Sequence, residues 1–409
     1  MASDWFPLGV GDSSLQRITL DFGLRGANQH FLELVVPEIG GARYVRQLSW
    51  AAAGLAMRDD LAAEGSKYRA TQLANAIEAL GCKAEWMAGG SASTRVIGRR
   101  AFDRDGESVG SFRELRDRRH YVQNTFRATV VRALRDSGGL GFARGNRFDG
   151  MTLEPVGLSL VAALLDESTI GQGRAKLRLW LRRWVLDEKE PSWPAVRDVL
   201  SPETPTKRER AIVRARLVDV DGPAADKRRT LAAILEPEAQ FPGVQHVIRA
   251  VRRKAESFAR EIELACAFGD LLDACIAALV RLSSIIEAAG LLSIGAATTA
   301  IAKELKKVAA CAKAYASRAS IAPAAAHSAA TQLVGVATSG PEQALLEELL
   351  RREGRVIAFI DGKVHKGPLY RNLGVENGEL DEDPEEDGAG RTFRLARFHE
   401  LLRDARSRL

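Results

Sequence analysis

The residues whose types and spacing could support catalysis lie in the run VIAFIDGK at positions 356–363. Asp361 and Lys363 form the D-x-K arrangement seen at the end of restriction-type nuclease motifs, in which carboxylates on adjacent strands hold Mg²⁺ and the lysine steadies the attacking water. That motif also needs an acidic residue on a neighbouring strand, whereas Glu348 and Glu353 fall on or at the end of a predicted helix. Asp-Gly between two apolar runs favours a two-residue hairpin turn. We therefore prefer the hairpin and keep a metal-dependent nuclease using Asp361 and Lys363 as an alternative.

The other side chains that could serve as nucleophiles or metal ligands form no recognisable pattern. The six histidines are scattered, and the four cysteines show no CxxC spacing. Arg144 stands where the last glycine of a GxGxxG loop would be, and no GK[ST] follows. We expect no catalytic residue, no metal and no cofactor, and we interpret the chain as non-enzymatic.

Charge is distributed unevenly along the 409 residues, whose formal net charge is +6. Residues 95–135 carry eleven arginines against five acidic residues, and residues 376–387 carry eight acidic residues and no basic one. A clustered basic patch is the electrostatic footprint of a polyanion-binding surface. The acidic stretch is interpreted as a solvated loop that could compete with nucleic acid for that surface.

The run RAKLRLWLRRWV at residues 174–185 interleaves basic and aromatic residues. On a helix, at about 100° per residue, Leu177, Trp180, Leu181 and Trp184 fall on one narrow stripe with arginines around it. Aromatic residues that stack on bases must instead be exposed among basic residues on the same surface. We predict that the tryptophans are buried and that the rim arginines can still reach phosphates.

The predicted partner is nucleic acid, with DNA preferred over RNA. We expect the phosphate contacts to come from arginines of the basic cluster, the rim of residues 174–185 and the basic hairpin. These residues are Arg113, Arg116, Arg118, Arg119, Arg127, Arg178, Arg182, Arg183, Lys363, Lys366 and Arg371. Removing Arg178 and Arg182 together is expected to lower the log–log salt slope of DNA binding by up to about 2.

Helical periodicity predicts a mainly α protein with an alanine-rich helical bundle and a small, winged-helix-like α/β module at its C-terminal end. Three segments follow from the changes in composition: a basic helical region over 1–240, the bundle over 241–336 and a helix–hairpin–helix module over 337–409. Single helices are expected from Lys67 to Leu80, ending at Gly81, and from about Arg113 to Asp136.

Charged residues interrupt the longest apolar stretch, from Ala265 to Ala302, so no membrane span is expected. The N-terminal residues lack the basic region of a signal peptide, and the cysteine usage fits a reduced compartment. We expect a cytoplasmic protein.

Residues 30–50, HFLELVVPEIGGARYVRQLSW, resemble the N-terminal stretch of a large group of uncharacterised bacterial proteins. The matching positions are Leu34, Pro37, Arg43, Tyr44 and Trp50. Members of that group are often encoded beside helicases and phospholipase-D-like nucleases in phage-defence gene clusters. In this chain Glu38 replaces the usual glycine after proline, and the threonine-rich turn is absent.

That resemblance implies a context without a mechanism. Together with the basic clustering, it predicts a non-enzymatic accessory subunit of an anti-phage system that binds nucleic acid and assembles with an enzymatic partner such as a helicase or nuclease. A structural scaffold that binds no nucleic acid is the other alternative.

Overall fold

The computed structural model describes residues 20–89, 93, 95–368, 370 and 393–406. The protein is mainly α-helical, as predicted. Its contacts divide it into two compact units. Of the described residues, the smaller unit comprises 20–28, 267–320, 326–368 and 370, and the larger unit comprises 29–89, 93, 95–266, 321–325 and 393–406. The three sequence segments expected above do not coincide with these units.

The larger unit is built from helices that are mostly short. They are α1 (Arg25–Val35, which begins in the smaller unit), α2 (Val45–Ala62), α3 (Ala70–Met87), α4 (Arg99–Asp105), α5 (Phe112–Leu115), α6 (Phe126–Leu134), α7 (Pro155–Val161), α8 (Leu177–Val185), α9 (Trp193–Leu200), α10 (Lys207–Arg214), α11 (Pro223–Leu235), α12 (Val244–Arg252) and α18 (Leu395–Ala405). Two small antiparallel ribbons accompany them: β1 (Ala143–Arg144) with β2 (Thr152–Leu153), and β3 (Thr169–Ile170) with β4 (Ala175–Lys176). The π-helical segments Ala162–Asp166 and Ala215–Asp219 extend α7 and α10.

The α2–α3 pair lies at the centre of this unit, and α3 runs through Gly81 instead of ending there. The predicted helix end at Gly81 was wrong because this glycine serves close packing. A Cβ atom at position 81 would lie 2.5 Å from the carbonyl oxygen of Leu200 and 2.7 Å from the ring of Trp50. Glycine is therefore required in mid-helix by residues that are distant in sequence.

The single helix expected over 113–136 is also wrong, since the chain forms α5, a 3-10 turn and α6 there. Side-chain caps explain the breaks: Ser111 Oγ accepts a hydrogen bond from Glu114 N at the start of α5, and Thr125 Oγ1 does so from Ala128 N at the start of α6. The buried carboxylate of Glu78 on α3 accepts two further hydrogen bonds from the first turn of α6, from Phe126 N at 2.7 Å and Arg127 N at 2.8 Å.

Helix α18 completes the larger unit from the far end of the chain. It packs on α10, α11 and α2. Its buried Asp404 accepts hydrogen bonds from the backbone N of Val45, at the first residue of α2, and from Arg95 Nη1, both at 2.8 Å. Glu400 on the same helix forms an ion pair with Arg43 at 2.7 Å. The final helix of the module predicted over 337–409 is thus confirmed as α18, and it belongs to the larger unit.

The smaller unit contains the alanine-rich helices and a three-stranded sheet. Its elements are the C-terminal part of α13 (Glu256–Ala289), β5 (Leu292–Ser293), α14 (Ile294–Ala300), α15 (Ala302–Ile321), α16 (Ser328–Ser339), α17 (Glu342–Arg352), β6 (Ile357–Ile360) and β7 (Lys363–Lys366). The strand order is β5-β7-β6, antiparallel throughout. The predicted Asp361-Gly362 hairpin is confirmed: both residues have positive φ, 51° and 74°, which a two-residue type I′ turn requires.

No helix within the described ranges combines the length and the hydropathy that a membrane span requires.

Candidate nucleic-acid interface

The aromatic stripe of α8 is buried, as predicted. Trp180 is 6% exposed and Trp184 1%. Trp184 Nε1 donates a hydrogen bond to the carbonyl oxygen of Gly110 at 3.0 Å, and its ring meets Phe112 edge-on with 5.5 Å between centroids. Both tryptophans therefore belong to the core and present no face to a nucleobase.

The arginines on the rim of α8 are paired with carboxylates of the same unit. Arg178 binds both oxygens of Asp166, at 2.6 and 2.8 Å, and Asp60 at 2.7 Å. Its pKa is raised mainly by the hydrogen bonds to Asp166. Arg182 lies 2.9 Å from Glu64, and Arg183 lies 3.8 Å from Glu188. The positive charge of this rim is largely neutralised within the fold.

Three other predicted contacts are engaged in a similar way. Arg119 pairs with Asp117 at 2.7 Å, and Lys366 pairs with Glu287 at 2.9 Å. Arg127 donates from Nε to Asn75 Oδ1 at 2.8 Å and lies over the ring of Phe148. Burial lowers the pKa of Arg127. These side chains already have partners within the fold, so a phosphate would have to compete for them.

The other predicted residues that the structure describes have no ion-paired carboxylate among the described residues. Arg113 and Arg118 are exposed, as is Lys363 beside the hairpin turn, and none of these three has an ion pair with any described residue. Arg116 rests against two aromatic rings. Arg371 and the acidic stretch 376–387 lie outside the described residues.

A set of five exposed cations without an ion pair to any described residue lies on α15, in the smaller unit, and was not predicted from the sequence. Leu305, Val308, Ala312 and Tyr315 form the buried face of this helix. The opposite face carries exposed cations separated by alanine and serine, and no ion pair with a described residue is found for any of them. They are Lys303, Lys306, Lys307, Lys313 and Arg318. We call this set the α15 cationic face.

The acidic residues nearest to this face lie along its edges. Glu304 is half-buried on one flank of α15. Asp270 and Asp273 on α13 are close enough to Cys311 to raise the pKa of that thiol, after the larger effect of burial, and Lys307 lowers it. At a rise of about 1.5 Å per residue, the face from Lys303 to Arg318 extends for about 22 Å.

A positional signal for the α15 cationic face was present in the sequence. Lysines at 303, 306, 307 and 313 follow the i, i+3, i+4 spacing that places side chains on one side of a helix. The alanines between these lysines predict close packing in a helical bundle, and for that reason no binding surface was predicted on this helix.

The geometry around Asp361 and Lys363 is that of an exposed turn. Glu348 forms ion pairs with Arg351 and Arg352, and the buried Glu353 accepts a hydrogen bond from Phe22 N. Among the residues with assigned positions, no group of three or more histidine, cysteine, aspartate or glutamate side chains is placed to hold a metal ion.

Comparison with known proteins found no matching family model, curated protein or solved structure.

Proposed function

We propose that this protein is a non-enzymatic nucleic-acid-binding subunit that binds duplex DNA, in preference to RNA, through the α15 cationic face. The observation that supports this most strongly is a single helix face with five exposed cations. None of the five forms an ion pair with a carboxylate of the described residues. Elsewhere in the fold, four of the nine predicted arginines already pair with carboxylates, namely Arg119, Arg178, Arg182 and Arg183. An exposed row of uncompensated cations attracts polyanions, and a polyphosphate backbone would neutralise it.

The shape of the face favours a duplex. The major groove of B-DNA, about 12 Å wide, admits an α-helix, and DNA presents one phosphate charge per about 1.7 Å of its axis. Positions 310, 314 and 317 carry the small side chains of alanine and serine, so the longer cationic side chains protrude beyond the surface between them. Lysine acts as a point charge for phosphate, without the planar fork by which arginine reads guanine. Binding is therefore expected to be largely independent of sequence.

The biological context rests on the resemblance of residues 30–50 to proteins of phage-defence gene clusters. It supports a bacterial anti-phage system in which this chain positions an enzymatic partner, a helicase or a nuclease, on DNA. The exposed position of Asp361 in a hairpin turn supports assigning the cleavage chemistry to that partner.

The test is a fluorescence-anisotropy titration of the full chain with duplex DNA and with RNA over a range of salt concentrations. Five phosphate contacts would give a log–log slope near −4.5, at about 0.9 per contact. A flat salt dependence, or no binding at low salt, refutes the proposal and leaves a structural scaffold. Cleavage with Mg²⁺ or Mn²⁺ that disappears in Asp361→Ala would refute the non-enzymatic part.

A further inference from the structure

The larger unit contains an open cavity of about 590 Å³. It lies where the end of α2 and the turn that follows meet α5 and the residue after α8. Its apolar wall is formed by Leu61, Tyr68 and Leu186. A volume of this size is typical of small-molecule sites.

Arg116 lies on the rim of this cavity, where aromatic rings orient its guanidinium group and no described residue accepts a hydrogen bond from it. Its guanidinium lies over the rings of Tyr68 and Phe112, at 5.5 and 5.6 Å from their centroids. No carboxylate or carbonyl among the described residues accepts its N–H groups. Two aromatic rings thus hold a half-buried arginine in place while its hydrogen-bonding edge remains unused, as in a preformed anion site.

The rest of the polar wall also offers donors. Lys67 is exposed and has no ion pair in the part of the chain with assigned positions. Gln72 uses Oε1 to accept a hydrogen bond from Arg69 N at 3.0 Å, which leaves its amide nitrogen as a donor. The lining carboxylate, Glu64, is already paired with Arg182. The cavity is therefore positively charged and rich in donors on one side and apolar on the other.

We propose that this cavity binds a nucleoside 5′-phosphate, with the phosphate between Lys67 and Arg116 and the base against Tyr68 and Leu186. A free nucleotide and the 5′-terminal nucleotide of a strand share this chemistry. The proposal does not depend on the α15 cationic face, which belongs to the other unit.

The first experiment is calorimetric titration of the full chain with AMP, adenosine and inorganic phosphate. AMP should bind more tightly than either fragment, and Arg116→Gln should weaken it roughly ten- to a hundred-fold, the range expected for a lost hydrogen bond to a charged group. The matched control is Arg113→Gln, which removes an exposed arginine of the same short helix that does not line the cavity. Melting temperatures verify that both variants are folded.

The second experiment identifies the source of the nucleotide. A single strand with a 5′-phosphate is compared with its 5′-hydroxyl counterpart in a chain whose α15 lysines are replaced by glutamine, so that binding at α15 does not contribute. Preference for the phosphorylated end assigns the cavity to strand termini, and binding of AMP alone assigns it to a free nucleotide. The proposal is overturned if neither AMP nor the phosphorylated strand binds at millimolar concentration. It also fails if inorganic phosphate or adenosine binds as tightly as AMP, or if Arg113→Gln weakens binding as much as Arg116→Gln.

Discussion

Replacing Lys303, Lys306, Lys307 and Lys313 by glutamine should remove most of the electrostatic attraction between α15 and DNA. Glutamine has nearly the same helix propensity as lysine, and all four side chains are exposed. The free energy of unfolding should therefore change by no more than about 0.5 kcal/mol per site. The helix and its buried face would remain, and only the charge would be lost.

The size of the effect follows from counterion release. Each phosphate contact contributes about 0.9 to the log–log salt slope, so loss of four contacts should reduce the slope by up to about 3.6. Between about 50 and about 200 mM salt, a slope of that size corresponds to an affinity change of about 150-fold. The variant should thus be far less sensitive to salt than the native chain.

The matched control removes the same formal charge from side chains that are already paired. It replaces Arg119, Arg178, Arg182 and Arg183 by glutamine, all of which lie within 4 Å of a carboxylate. Anisotropy titrations at a series of salt concentrations, with melting curves for each protein, should show a slope close to that of the native chain. The reasoning is refuted if the control lowers the slope as much as the lysine variant does, or if the lysine variant keeps the native slope.

Other substitutions test the core and its electrostatics. Trp184→Ala and Trp180→Ala should each lower the free energy of unfolding by about 3–5 kcal/mol in urea titrations, because both side chains are buried, and neither should abolish DNA binding while the chain is folded. Burial raises the pKa of Glu78 from 4.5 to about 7 in spite of its hydrogen bonds, so the folded state favours the protonated form. The free energy of unfolding should therefore fall by up to about 3 kcal/mol as the pH rises from about 4.5 to about 7. This part of the pH dependence should vanish in Glu78→Gln. Gly81→Ala should destabilise the protein by about 1–3 kcal/mol because the added Cβ would overlap Trp50 and Leu200. Gly335→Ala in α16, where nothing lies within 4 Å of the added Cβ, should stabilise the protein by up to about 1 kcal/mol. The melting temperatures of the two variants should therefore shift in opposite directions.

Features governed by local sequence could be predicted. The buried stripe of α8 follows from its helical periodicity, and the β6–β7 hairpin follows from Asp361-Gly362 between apolar runs. In both cases the residues that decide the structure are neighbours in the chain, so pattern and propensity carry the necessary information.

Several of the features that were missed depend on residues far apart in sequence. The partner that neutralises Arg178 across the fold, Asp60, is 118 positions away. The first turn of α6 is capped in part by Glu78, 48 positions before Phe126. The number of charged residues in a segment therefore does not tell how many of them are free to bind a ligand, because their ion pairs are determined by the tertiary structure. On α15 the acidic residue at a pairing distance is Glu304, three positions before Lys307, and no ion pair joins these two side chains.

Because α18 packs on α2 and its Asp404 accepts a hydrogen bond from the first residue of α2, the larger unit lacks these contacts while residues 29–266 alone have left the ribosome. The nascent chain must hold the α2–α3 pair with one side unfilled until residues 395–405 are synthesised, although N-terminal segments usually fold first. Contacts across such long sequence separations also slow folding in general. Truncated chains that end before α18 should therefore be prone to aggregation, and a tag or fusion partner after α18 must leave that helix free to dock.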